Sequence, residues 1–217
     1  MWCWNRCRLS VLFSFLLASG QFSAVLASED DIQRVKRGLQ KVVQYDNFSA
    51  RRLAMGWFAL LDNISNKPLS EQLEWINNYI NKIPYTDDVQ QWQVADYWAT
   101  PIELFHAGRG DCEDLAIAKY FTLRALQVED NDLRLIYVKQ RDTAQPHMIL
   151  AVLQNNTWWV LDSANADILP LEQRSDLVPV YEFNGESLWI TRSTTHQDLV
   201  GPAQRIGQWA ALHERLH

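Results

Sequence analysis

Gly110-Asp111-Cys112-Glu113-Asp114-Leu115-Ala116-Ile117-Ala118-Lys119-Tyr120-Phe121-Thr122-Leu123-Arg124-Ala125-Leu126, followed by Leu133-Arg134-Leu135-Ile136-Tyr137-Val138, marks the point where the chain changes period. In the first segment apolar residues fall on most faces at helical spacing, which predicts a largely buried helix. In the second, and again over 148–153, 157–161, 178–183 and 188–191, short runs of β-branched and aromatic residues predict strands. Upstream the pattern is helical throughout. Ser28 is expected to cap a helix carrying Ile32, Val35, Leu39, Val42 and Val43; a second helix covers 51–61, and a third begins near Ser70 and stops at Pro84. Residues 84–98 read as an ordered loop rich in aromatics and acids. Thr100-Pro101-Ile102-Glu103 is a capping box with proline at the first helical position, and that helix ends at Gly108. Residues 202–216 are expected to form a closing helix. Helices first and strands second predict an α+β fold rather than alternating βαβ units.

Residues 1–27 are expected to be a signal peptide. Arg6 and Arg8 precede an apolar run, 9–17, that is too short to span a bilayer, and Val25-Leu26-Ala27 offers a small-residue cleavage pattern. The working protein is then one exported domain, residues 28–217, with no stable membrane insertion after cleavage. The formal net charge is −6, and losing two arginines makes it more negative, which argues against nucleic acid or an anionic membrane as partner.

Cys3 and Cys7 would leave with the leader, so residues 28–217 retain Cys112 alone. An exported chain with one cysteine cannot close an internal disulfide; the thiol is either an inert core group or there for chemistry. With Asp111 as N-cap, Cys112 stands at the first helical position, where free N–H groups and the helix dipole favour a thiolate and could hold an oxyanion. A nucleophilic cysteine needs a base, and the base an orienting partner. Asn155-Asn156 predicts a tight turn between two strands. Centred there, the hairpin pairs 149 with 162 and 147 with 164, so His147 and Asp162 lie on one face as diagonal neighbours. His106, His196, His213 and His217 lack such a setting and read as surface or loop residues. Asp111, Glu113 and Asp114 surround the thiol and should raise its pKa. They either cap the helix or hold a hard divalent cation, for which calcium through oxygen ligands is the only metal the composition suggests.

The residues Asp96-Tyr97-Trp98-Ala99-Thr100-Pro101, Gly110-Asp111-Cys112-Glu113-Asp114 and Ala118-Lys119-Tyr120 before Leu123-Arg124 resemble the bacterial transglutaminase-like cysteine proteinases, among them the LapG-type periplasmic proteases. The resemblance implies a papain/transglutaminase-like fold and a Cys112, His147, Asp162 triad. It links Asp111 and Glu113 to calcium, with Asp114 a further ligand. As substrate it implies a large surface adhesin cleaved in its N-terminal region, which releases the adhesin and disperses a biofilm. It also implies restraint by the periplasmic domain of an inner-membrane cyclic di-GMP receptor. Where the family pattern has glycine after the Leu-Arg-Ala-Leu segment this chain has Gln127, a departure expected to touch only the helix end. Two other chemistries fit the residues alone: acyl transfer to an amine, as in transglutaminases, and a calcium-responsive binding module without turnover.

Overall fold

A computed structural model describes residues 19–193 and 196–217. Residues 1–18, which carry most of the expected signal peptide with Cys3 and Cys7, lie outside the described residues. The helical half comprises α1 (Ser19–Val42), α2 (Phe48–Ile64), α3 (Leu69–Ile80), the four-residue α4 (Asp88–Gln91), α5 (Pro101–Ala107) and α6 (Cys112–Ala125). The strand half comprises β1 (Leu133–Gln140), β2 (Pro146–Gln154), β3 (Thr157–Leu161), β4 (Leu169–Pro170), β5 (Leu177–Phe183), β6 (Ser187–Ser193) and β7 (His196–Pro202), closed by α7 (Gly207–Leu216). All strands form one antiparallel sheet in the order β4-β3-β2-β1-β5-β6-β7. The α+β class is as expected.

Three local expectations change. α1 begins at Ser19, so Ser28 lies inside the helix and is not its N-cap. The loop 84–98 contains α4, a turn too short to carry a periodic signal. Residues 196–202, polar and glycine-containing, form β7 at the sheet edge, and the closing helix starts only at Gly207.

The helices bury one face of the sheet, and α6 is the central piece. Leu115, Ala116, Ile117, Ala118, Tyr120, Phe121 and Leu123 are all buried, which explains why apolar residues occupy so much of its circumference. Its inner face meets Leu135, Met148, Leu150 and Leu161 of the sheet within one contiguous core. Each such side chain removed from water contributes roughly 1.5–3 kcal/mol before conformational entropy is counted. Ile136, Val138, Ile149, Ala151 and Val160 point the other way and build a smaller cluster on the opposite face. Alternation splits Trp158 from Trp159: Trp159 joins the main core and Trp158 the smaller one. At the far end Trp209 of α7, wholly buried, packs edge-on against Phe183 at 5.2 Å and Tyr120 at 5.7 Å.

Candidate active site

The start of α6 is built by short-range chemistry. Asp111 is extended (φ −107°, ψ −160°), and Asp114 Oδ2 accepts from the Asp111 N–H at 3.4 Å, fixing the entry to the helix. Gly110 has no room for a side chain: a Cβ there would stand 2.5 Å from Asp114 Oδ2 and 2.6 Å from Leu104 Cδ1. The same residue is stitched to the segment before it, donating to Pro84 O at 3.2 Å and accepting from the Thr86 N–H at 2.9 Å. Cys112 therefore starts α6 on a doubly anchored loop.

The β2–β3 hairpin brings the second half of the site. Leu150 pairs with Leu161 and Ala151 with Val160, the register the Asn155-Asn156 turn predicts, and both asparagines have positive φ (52° and 61°). His147 and Asp162 consequently meet: His147 Nε2 lies 2.6 Å from Asp162 Oδ1. A carboxylate only accepts, so the proton sits on Nε2 and Nδ1 is the nitrogen left for other work. Both residues are buried, at 6% and 1% exposure. Asp162 Oδ1 also accepts from the Ala164 N–H at 2.8 Å, and Oδ2 from Arg174 Nη2 at 2.8 Å. Burial alone would raise the Asp162 pKa; bonds from His147, Ala164 and Arg174 outweigh it and hold the group at about 2.

The thiol sits in a contrasting field. Burial pushes the Cys112 pKa well above its usual value; the Glu113 and Asp111 carboxylates push it further, and the Sγ–H donates to Glu113 Oε2 at 2.9 Å. A backbone hydrogen bond from Met148, next to His147, works the other way. Cys112 is half-buried and His147 nearly buried, and the two line the same cleft.

Asp88 of α4, Asp111 and Glu113 each bring a carboxylate oxygen within 4.8 Å of the others. Asp114, expected in this group, is turned elsewhere: Oδ1 accepts from the Ala99 N–H at 2.7 Å and Oδ2 from Asp111. Asp88 stands beside Asp111 and Glu113 instead, a residue that sequence spacing could not single out among the acids of 84–98. Burial raises Asp88 to about 6, and burial with the Glu113 charge raises Asp111 to about 9. Asp88 Oδ1 and Asp111 Oδ1 are buried without any hydrogen-bond donor. Two donorless buried oxygens beside a third carboxylate are the oxygen-only set that suits a hard divalent cation.

Two cavities flank the thiol. One of about 930 Å³ is lined by Cys112, His147, Tyr85, Tyr137, Tyr181 and Asp96; the other, about 470 Å³, shares Cys112, His147 and Tyr85 and continues past Gln140 and Ala164. A chain lying across Cys112 would thus have room on both sides. His213 lies within α7, and the exposed His217 directly follows that helix; they face Asp31 of α1 at 3.4 and 3.3 Å and tie the end of α7 to it.

The family described as bacterial transglutaminase-like cysteine proteinase matches residues 60–183, from α2 to the end of β5. The chain belongs to the bacterial transglutaminase-like cysteine proteinases. Among solved structures, this proteinase-family chain is similar to Legionella pneumophila LapG in an EGTA-treated form, with 34% identity, 84% of this chain and 97% of that chain covered, and a TM-score of 0.74. It is similar also to the calcium-bound form of Legionella pneumophila LapG, with 35% identity, 84% and 99% coverage and a TM-score of 0.72. Comparison with curated proteins yields no match. Family membership makes the chain a cysteine protease of papain/transglutaminase-like architecture. No helix among the described residues is long and apolar enough to cross a membrane. Arg174 is the site neighbour that sequence reasoning missed outright; an arginine in a polar connection carries no periodic or motif signal.

Proposed function

We propose that the chain is a calcium-dependent cysteine endopeptidase that works in the periplasm after loss of residues 1–27, as the single domain 28–217. The supporting observation is the His147–Asp162 pair, at 2.6 Å, sharing a cleft with a thiol at a helix start. In this reading His147 Nδ1 takes the Cys112 proton as Sγ attacks the scissile carbonyl carbon. The new S–C bond pushes the carbonyl electrons onto oxygen, where N–H groups at the start of α6 stabilise the charge. Collapse breaks the C–N bond, His147 returns its proton to the leaving amine, and water hydrolyses the thioester. Asp162, held ionised, keeps the imidazole in one tautomer and stabilises its cation.

Asp88, Asp111 and Glu113 would hold calcium, which supplies positive charge beside a thiol that the uncompensated acids keep protonated. The calcium-bound relative supports calcium as the ion. Following the LapG resemblance, the substrate is the N-terminal region of a large surface adhesin, whose release disperses a biofilm. The restraining partner is the periplasmic domain of an inner-membrane cyclic di-GMP receptor. The test is cleavage of an N-terminal adhesin fragment by wild type and Cys112→Ala, each with calcium and with chelator. Cleavage by wild type with calcium alone is expected; chelator-resistant cleavage would remove the metal, and an intact fragment in every lane would remove the protease assignment.

A further inference from the structure

Asp162 has two carboxylate oxygens, and the fold commits both. Oδ1 serves His147 and the Ala164 N–H, while Oδ2 accepts from Arg174 Nη2 at 2.8 Å. Arg174 is itself nearly buried, at 6% exposure, and its fork is gripped from the far side by Asp176: Nε to Oδ1 at 2.9 Å and Nη2 to Oδ2 at 2.7 Å. A carboxylate tethered at one oxygen can rotate about its Cβ–Cγ bond and swap the oxygen it shows to an imidazole. One pinned at both cannot.

We propose that Arg174 is a positioning residue of the active site: by occupying Asp162 Oδ2 it fixes the carboxylate plane, presents Oδ1 to His147 Nε2, and so leaves Nδ1 in place to receive the Cys112 proton. This builds on the proteolytic reading above. Its structural rival is that Arg174 only shapes the connection before β5, where its N–H donates to Leu171 O and its carbonyl accepts from the Leu177 N–H. Those are main-chain bonds that any residue could make.

The test uses Arg174→Ala and Arg174→Gln, the second carried in case the first does not fold, with calcium present throughout. Alkylation of Cys112 by iodoacetamide is expected to slow at least about tenfold, and guanidinium ion at tens of millimolar to restore it. In a His147→Ala background the same Arg174 change is expected to alter alkylation by less than about twofold, because its route to the thiol is gone. On the adhesin fragment, kcat is expected to fall about a hundredfold with KM within about threefold. An alkylation rate unchanged from wild type, an equal slowing with and without His147, or a loss that guanidinium does not recover would each overturn the proposal. If wild type alkylates quickly but cleaves no peptide, the protease assignment fails while the alkylation series still decides Arg174.

Discussion

Two buried ionisable groups lie under the same site and answer pH in different ranges. Asp162 is held at about 2, below the roughly 3.9 of an unfolded chain, so the folded state sheds its proton first as pH rises. Its stabilising contribution is full above about pH 4 and is lost as pH falls toward 2. Urea titrations at pH 6 and pH 3 should show wild type losing on the order of 1 kcal/mol through this group. Lys119, 1% exposed on α6, is the opposite case: burial pulls its amine down to about 7. Between that value and the usual lysine range the unfolded chain holds the proton that the folded chain has released, so stability rises with pH there. Below pH 7 the folded protein carries a buried ammonium whose main compensation is the Asp162 charge. Lys119→Met, similar in volume and apolar, should therefore stabilise the fold by about 1–3 kcal/mol at pH 6 and by less at pH 10. Thermal melts at the two pH values check it; equal gains at both would rule out titration of Lys119 as the cause.

Among the elements, the end of α6 shows how a sequence departure becomes a geometric cost. Gln127 sits at φ 66°, just beyond the helix, while its N–H donates to Arg124 O and the next N–H, from Val128, to Leu123 O. That is a Schellman closure, whose left-handed position favours glycine. Gln127→Gly should stabilise the protein by about 1 kcal/mol, read from the urea midpoint at unchanged slope. At the other end of the helix, Gly110→Ala should destabilise by about 1–3 kcal/mol and slow Cys112 alkylation, since the added carbon meets Asp114 and Leu104. The hairpin register, the helix start at Cys112 and the Thr100 capping box were all legible because each rests on residues close in sequence. Asp88 was not, because α4 reaches the acidic cluster only through tertiary packing around residues 84–98. Where the Asp114 carboxylate turns was hidden for a related reason: spacing puts it near Asp111 and Glu113, but the Ala99 N–H, from a separate segment, bonds to it. β7 lacks the alternation that marks a half-buried strand, so its pairing with β6 has no sequence signature.

For the whole molecule, α7 acts as a closing element. It buries Trp209 against Tyr120 of α6 and Phe183 of β5, so helices and sheet are joined by a residue near the chain's end. Trp209→Ala should cost about 3–5 kcal/mol and lower the melting temperature, with Cys112 alkylation at 20 °C much less affected because the cavity lies outside the active cleft. Composition showed ten tryptophans but not which of them hold the layers together. That assignment depends on how β5 is inserted beside β1, a long-range fact that local patterning does not contain.

Asp88 and Asp111 stand 23 positions apart in the chain, yet their carboxylates belong to one cluster. An ion gripped by both would act as a removable cross-link, closing a loop whose freedom in the unfolded chain is worth about 3 kcal/mol. Calcium would then be a staple as well as a counter-charge, and a chelator would soften the 85–110 segment in the same step that silenced the thiol, leaving that stretch open to proteolytic nicking.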